Sequence, residues 1–126
     1  MTNPRRKVLI VDDDAALLET ASQLLEQAGF AASTCAARVN RLNIIRDTQP
    51  DLVLMDVNMP FLSGGDVVKL MKEMPDLKDT RVVLFSSNDE WSLRQLARET
   101  GAWGWISKNT MGLDFASRVS RALEGV

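Results

Sequence analysis

The chain has no histidine, no tyrosine and a single cysteine among its 126 residues. Without histidine there can be no Ser-His-Asp triad, none of the usual zinc ligand sets and no phosphohistidine carrier. Cys35 has no disulfide partner within the chain, and its apolar setting, FAASTCAA, reads as a buried inert thiol. A dominant charge is missing as well. Lys plus Arg number 15 against 17 for Asp plus Glu, a net charge of -2 that argues against direct nucleic-acid binding or attraction to anionic membranes. No apolar stretch approaches the roughly 20 residues of a membrane helix. The opening MTNPRRK is charged, with no apolar signal region behind it. No membrane insertion and a cytoplasmic location are expected. Repeats, low-complexity tracts and linkers are absent too, so residues 1–126 read as one domain with a folded core over about 7–124, and 45% hydrophobic content suffices for that core.

What the chain does have is four short apolar runs that each end in a polar residue. KVLIV leads into Asp12-Asp13-Asp14, DLVLM into Asp56, RVVLF into Ser86-Ser87, and WGWIS into Lys108. Such β-branched-rich runs predict strands buried on both faces of a parallel sheet. Segments of helical period separate them. Leu17, Leu18, Ala21, Leu24, Leu25 and Ala28 predict helix 1, capped by Asp14 and stopped by Gly29. A strand over Phe30–Cys35 precedes helix 2, which carries Val39, Leu42 and Ile45 and stops before Pro50. Helix 3 is predicted to follow Gly64-Gly65, with Asp66 as cap, Val67, Leu70, Met71 and Met74 facing inward, and Pro75 ending it. Helix 4 is placed over Glu90–Thr100, burying Leu93, Leu96 and Ala97, with Gly101 as terminator. Helix 5 is placed over Gly112–Leu123, with Phe115, Val119, Ala122 and Leu123 on one face. Arg38, Arg41 and Arg46 read as a solvated face of helix 2, and Arg5-Arg6-Lys7 as a solubilising lead-in to strand 1. Five βα units with right-handed crossovers predict an α/β, doubly wound, flavodoxin-like sandwich. Its five-stranded parallel sheet would have the order 2-1-3-4-5, with helices on both faces and the switch point between strands 1 and 3.

Parallel strands finish on one edge, so the carboxylates, the serine hydroxyl and the lysine are expected to converge there. Taken singly, an Asp triplet caps a helix, a serine sits in a turn and a lysine is solvated. The four strand ends together carry the functional reading. Like charges about 4 Å apart repel by roughly 4 kcal/mol at an effective dielectric near 20, so clustered acids call for a cation. An all-oxygen site without His or Cys favours Mg²⁺. A carboxylate beside Mg²⁺, a lysine and a hydroxyl is equipped to attack a phosphoryl group and to stabilise the acyl phosphate formed, which would be phosphorylated Asp56.

In order and spacing, LIVDDD, DLVLMDVNMP, VVLFSS and GAWGWISK resemble the receiver domain of two-component response regulators, CheY-like proteins, over essentially the whole chain. The resemblance implies that Asp56 is the phosphoacceptor. It also implies that Asp13 and Asp56 bind Mg²⁺ directly, that the backbone carbonyl of Asn58 adds a ligand, and that Asp12 helps through water. Ser86 and Lys108 would contact the phosphoryl group, and Met59-Pro60 with Gly64 match the loop after the phosphorylated strand. Ser86 and the aromatic at Trp105 would form the switch. A histidine kinase or phosphotransfer protein is the implied donor. The implied output is a downstream protein bound through helix 4, strand 5 and helix 5, with a homodimer through the same face as a further option. The chain would then be a self-phosphorylating and self-dephosphorylating switch, not a turnover enzyme.

The chain departs from that pattern in several places. Asn109 follows the lysine where proline is usual. A cis bond before a non-proline costs about 3 to 4 kcal/mol, which leaves the geometry of that loop to be established. Trp105 is bulkier than the usual tyrosine or phenylalanine. Ser86 stands where threonine is commoner, Ser87 where alanine is frequent, and Asn58 and Asn88 occupy positions that influence dephosphorylation in the family. Trp91 and Trp103, read as exposed near one lip of the sheet, suggest a partner surface. Two alternatives stay open: a phosphorylation-independent adaptor with the same fold, and a receiver cut from a longer multidomain regulator. Aspartyl-phosphate phosphatases usually carry a second Asp two residues after the nucleophile, where this chain has Asn58, which cannot protonate a leaving group. No G-x-G-x-x-G follows strand 1, so a dinucleotide-binding enzyme is not indicated.

Overall fold

A computed structural model describes residues 5–36, 40–58, 63–112 and 114–124. Five strands, β1 (Lys7–Val11), β2 (Ala31–Cys35), β3 (Leu52–Asp56), β4 (Arg81–Ser86) and β5 (Gly104–Ser107), form one parallel sheet of order β2-β1-β3-β4-β5. They alternate with α1 (Ala15–Gln27), α2 (Arg41–Thr48), α3 (Gly64–Lys72), α4 (Glu90–Thr100) and α5 (Phe115–Glu124), and a 3₁₀ turn over Lys108–Thr110 follows β5. This is the expected doubly wound sandwich, with its switch point between β1 and β3.

Strand period and helix period together divide the core in two. Leu9 and Val11, Val53 and Met55, and Val82 and Leu84 project to one face, where they pack with Ile45 of α2, Val67, Val68 and Met71 of α3, and Leu93 and Ala97 of α4. The alternate residues Val8 and Ile10, Leu52 and Leu54, and Val83 and Phe85 project to the other face, against Leu18, Ala21 and Leu25 of α1 and Phe115, Val119 and Leu123 of α5. Register keeps like with like, pairing Ile10 with Leu54 and Leu54 with Val83. Phe85 and Phe115 meet with ring centroids 5.6 Å apart, a tilted arrangement that aromatic quadrupoles favour.

The helix ends refine the expectations. Asp14 caps α1 by accepting from the Ala16 and Leu17 N–H groups, and Gly29 and Gly101 lie just past α1 and α4 with positive φ. Ser63 rather than Asp66 caps α3. Its hydroxyl accepts from the Asp66 N–H at 3.2 Å and donates to the Asp66 carboxylate at 3.0 Å, so Gly64 and Gly65 lie inside the first turn. They are there for closeness. A Cβ on Gly64 would collide with the Asp56 carbonyl oxygen and come 2.9 Å from Met55 Cγ, and one on Gly65 would come 3.1 Å from Thr100 Cγ2. Within α3, Leu70 is 39% exposed and Val68 takes the inward place assigned to it. α5 begins at Phe115 rather than Gly112, whose φ of +115° is incompatible with a helix. β2 begins at Ala31, one residue later than expected, and exposes Ser33 and Thr34 as the edge strand. Arg41 is buried, not solvated, because it shares a helix face with Ile45 four residues on. Arg46 pairs with Asp76, and Arg5 with Glu26 at 3.1 Å. Arg38, Val39, Met59 and Pro60 lie outside the described residues.

Truncating the aromatic pair should be costly and trimming the exposed helix face should not. Urea unfolding is expected to show Phe115→Ala losing about 3–5 kcal/mol, while Leu70→Ala changes stability by no more than about 0.5 kcal/mol. Gly64→Ala, although it improves helix propensity, is expected to destabilise by about 1–3 kcal/mol because backbone must give way.

Candidate functional site

The four polar strand ends converge on one edge of the sheet. Asp12 follows β1, Asp56 ends β3, Ser86 ends β4 and Lys108 follows β5. The Asp triplet divides its work. Asp14 is used as the helix cap, Asp13 is exposed, and Asp12 is turned inward at 1% exposure with Oδ1 accepting from the Asp14 N–H at 2.9 Å. Asp56 is likewise buried, at 3%. Lys108 joins them, with Nζ 2.7 Å from Asp12 Oδ2 and 3.1 Å from Asp56 Oδ1. Its stem passes the Phe85 ring, whose centroid is 5.6 Å from the ammonium.

This packing sets the electrostatics. Burial pushes the Asp56 carboxyl above its ordinary pKa; Lys108 pulls it down and the Asp12 charge pushes it up again. Burial also works against the charge on Lys108, but its contacts with Asp12 and Asp56 outweigh that and hold its pKa above the usual lysine value. One ammonium therefore faces three carboxylates. Oxygens of Asp12, Asp13 and Asp56 all lie within 4.8 Å of one another, and the buried Asp12 Oδ2, although ion-paired with Lys108, has no hydrogen-bond partner among the described residues. A hard cation that takes oxygen ligands fits this donor set, and zinc or another soft metal does not.

The hydroxyl of Ser86 is fully buried and accepts twice, from the Asn88 N–H at 3.1 Å and from Asn58 Nδ2 at 3.3 Å. Asn58 Nδ2 also lies 3.3 Å from Asn88 Oδ1, and the Asn58 N–H donates to Asp56 Oδ1 at 3.3 Å. The sequence reading gives Asn58 a metal-binding carbonyl and, with Asn88, an influence on dephosphorylation, but not the bridge that its side chain makes between Ser86 and Asn88. A signal existed, since Asn58 and Asn88 each stand two residues past the end of neighbouring strands.

The Lys108–Asn109 bond is trans, as are all peptide bonds among the described residues, and the Ser107 hydroxyl starts the 3₁₀ turn by accepting from the Asn109 N–H at 3.1 Å. Trp105 is partly buried against the α2–α3–α4 core, with the Arg94 guanidinium 5.5 Å from its ring centre. Trp91 and Trp103 are both exposed, at 69% and 49%, but they do not share a lip of the sheet. Trp91 starts α4 beside the site. Trp103 stands one helix length away, its N–H bonded to the Val82 carbonyl near the start of β4 and its Nε1 to the Ala122 carbonyl at 2.8 Å. α4 returns the chain across the sheet between the two, which is why closeness in sequence misled.

A family model described as the response regulator receiver domain matches residues 8–119. Among curated relatives, the transcriptional regulatory protein PrrA of Mycobacterium leprae is 31% identical over 98% of this chain and 51% of its own length. The phosphate regulon transcriptional regulatory protein PhoB of Klebsiella pneumoniae is 29% identical over 96% of this chain and 53% of its own. The chain thus spans about half the length of these two relatives. Among solved structures, the chemotaxis response regulator CheY4 of Vibrio cholerae superposes with a TM-score of 0.85 at 26% identity, covering 94% of this chain and 99% of that one. A signal receiver domain of a histidine kinase from Syntrophus aciditrophicus gives 0.82 at 29%, covering 96% and 92%. With the family model spanning nearly all of the ordered sheet and its helices, the chain belongs to the response regulator receiver domains of two-component signalling.

Proposed function

We propose that the chain is a phosphorylation switch in which Asp56 accepts a phosphoryl group from a histidine kinase or phosphotransfer protein. The observation that carries this reading is the convergence of Asp12, Asp13 and Asp56 around one lysine whose ammonium reaches both buried carboxylates. A carboxylate oxygen of Asp56 attacks phosphorus and the bond from phosphorus to the donor imidazole nitrogen breaks as the new P–O bond forms; the electron pair stays on the ring, which leaves as neutral imidazole because its other nitrogen carries a proton. Lys108 already sits on Asp56 and supplies positive charge to the equatorial oxygens of the transferring group. Ser86 supplies a donor, because both of its acceptor positions are taken by Asn88 and Asn58, which leaves its O–H to turn toward a phosphoryl oxygen. Mg²⁺ held by Asp12, Asp13 and Asp56, with the Asn58 carbonyl as a further ligand, would neutralise charge shared between the acids and the phosphoryl oxygens.

The change is relayed from the site to the surface through β4 and β5. As Ser86 is drawn toward the new oxyanion, the bonds that it accepts from Asn58 and Asn88 pull on the loops after β3 and β4, and Trp105, next to α4, is placed to register the shift. The face formed by α4, β5 and α5 then changes its affinity for a downstream protein. The chain works in this as a switch and not as a turnover enzyme.

Tryptophan fluorescence with acetyl phosphate or beryllofluoride is expected to show a saturable, Mg²⁺-dependent change that Asp56→Asn abolishes, with mass spectrometry locating the acetyl-phosphate adduct on Asp56. Flat fluorescence and no adduct would instead support an adaptor that binds without phosphorylation. Lys108→Met is expected to slow adduct formation about 10²–10³-fold, as removal of a preorganised charge donor does elsewhere. Asp56→Asn should also raise the melting temperature in metal-free buffer at neutral pH, because it removes a desolvated carboxylate beside Asp12. The raised pKa of Asp56 means that its burial costs stability once the group is charged, so the gain should fade as pH drops and the wild-type carboxyl enters the fold neutral.

A further inference from the structure

Four neighbouring strands end in the same small turn. At each end a side-chain oxygen accepts from the backbone N–H two residues on: Asp12 Oδ1 from Asp14 at 2.9 Å after β1, Asp56 Oδ1 from Asn58 at 3.3 Å after β3, Ser86 Oγ from Asn88 at 3.1 Å after β4, and Ser107 Oγ from Asn109 at 3.1 Å after β5. Such a turn occupies an N–H that the sheet no longer pairs and fixes the direction in which the chain leaves the strand. In the first three the accepting residue is itself a member of the site. In the fourth it is not, because the site residue is Lys108, the next one along. Ser107 is 7% exposed, stands in register with Ser86, and has no part in the proposed phosphoryl transfer.

Strand alternation explains why such a neighbour matters. Ser107 follows Trp105 on the face covered by α2, α3 and α4, whereas Lys108 follows Ile106 on the face of Phe85, where the ammonium passes the ring on its way to Asp12 and Asp56. Lys108 has a long, rotatable stem and is the first residue past the sheet. What holds its backbone is the 3₁₀ turn over Lys108–Thr110, with Ser107 in extended geometry (φ -77°, ψ 136°) as the cap and the Met111 N–H closing on the Lys108 carbonyl at 3.3 Å. The cap depends on an N–H at position 109. Proline has none and restrains the chain through its ring instead. With Asn109 in that place, the constraint is supplied by the serine hydroxyl.

We infer that Ser107 is a positioning residue for Lys108: its hydroxyl fixes the turn from which the ammonium reaches Asp12 and Asp56, in place of the proline usual at position 109. The inference rests on the switch reading for what the ammonium does in phosphoryl transfer, but not for where the ammonium is held. The Lys108 side chain is 18% exposed and spans two carboxylates, at 2.7 Å and 3.1 Å, so a turn that opened would let it swing toward solvent. A displacement of about 1 Å at a group that positions charge can slow a reaction about 100-fold, which makes a single hydrogen-bonded cap an effective control.

Two readouts on the whole chain test this, and one of them needs no phosphorylation. In metal-free buffer, brief labelling with acetic anhydride followed by peptide mass spectrometry compares Lys108 with the exposed Lys72 and Lys78. Ser107→Ala is expected to raise the relative labelling of Lys108 at least about fivefold, the size of one lost cap. Ser107→Val, which has the shape of threonine without its hydroxyl, should do the same, and Ser107→Thr should keep the wild-type level. With acetyl phosphate and Mg²⁺, Ser107→Ala is expected to slow formation of the Asp56 adduct about tenfold, Ser107→Thr to restore it, and Ser107→Ala to add nothing once Lys108→Met is present, because the serine acts through the lysine. Lys108 labelling that Ser107→Ala and Ser107→Val leave unchanged, or that Ser107→Thr raises equally, overturns the inference. So does further slowing by Ser107→Ala in the Lys108→Met background, which would mark a general loosening of the edge. The two readings fail separately. A wild type that forms no adduct while Ser107→Ala still exposes Lys108 sinks only the switch, and an adduct formed with Lys108 labelling insensitive to Ser107 sinks only the positioning.

Discussion

The ammonium of Lys108, set between Asp12 and Asp56, is the interaction on which the edge of this sheet depends. Two carboxylates are taken almost completely out of water at the ends of β1 and β3, and this one ammonium is the counter-charge that both of them meet. The lysine comes from the far side of the sheet, across β4, so the ion pairs tie three of the five strand ends together. A single ammonium against three acids also leaves the site short of positive charge. In the proposed switch, that shortage is what a cation, and with it a phosphoryl group, would meet.

Much of this was legible in the sequence because the strands are buried on both faces. A run such as DLVLM reads as a central strand of a parallel sheet, and four of them, with a fifth and more polar strand at the edge and helical period between, point to a doubly wound sandwich. Asp12, Asp56, Ser86 and Lys108 could be placed together because each follows directly on a strand. What the sequence hid was set by contacts between segments far apart in the chain. Gly64 and Gly65 resemble a loop by composition, yet they allow α3 to lie against the end of β3 and against α4. Arg41 resembles a surface residue, yet it shares the buried face of Ile45. Trp91 and Trp103 are twelve positions apart, and the helix between them carries them to opposite edges of the sheet.

The Asn58 amide shows how the loops at the site are coupled. By bonding both Ser86 and Asn88 it joins the loop after β3 to the loop after β4, so the hydroxyl of Ser86 cannot turn without disturbing both. The trans bond after Lys108 and the 3₁₀ turn that follows position the ammonium without the proline usual in the family.

At the opposite edge, the last carbonyls of α5 are gathered by three side chains: Arg6 and Arg81 on Leu123, and Trp103 on Ala122. These contacts cap a helix end that would otherwise leave its acceptors to solvent, and they come from elements spread across the sheet. The other end of α5 is joined to the turn that carries Lys108. Mechanically, α5 is clasped at its C-terminal end. A helix anchored at that end has its freedom at the other, so a change at Lys108 would meet α5 at its less restrained end.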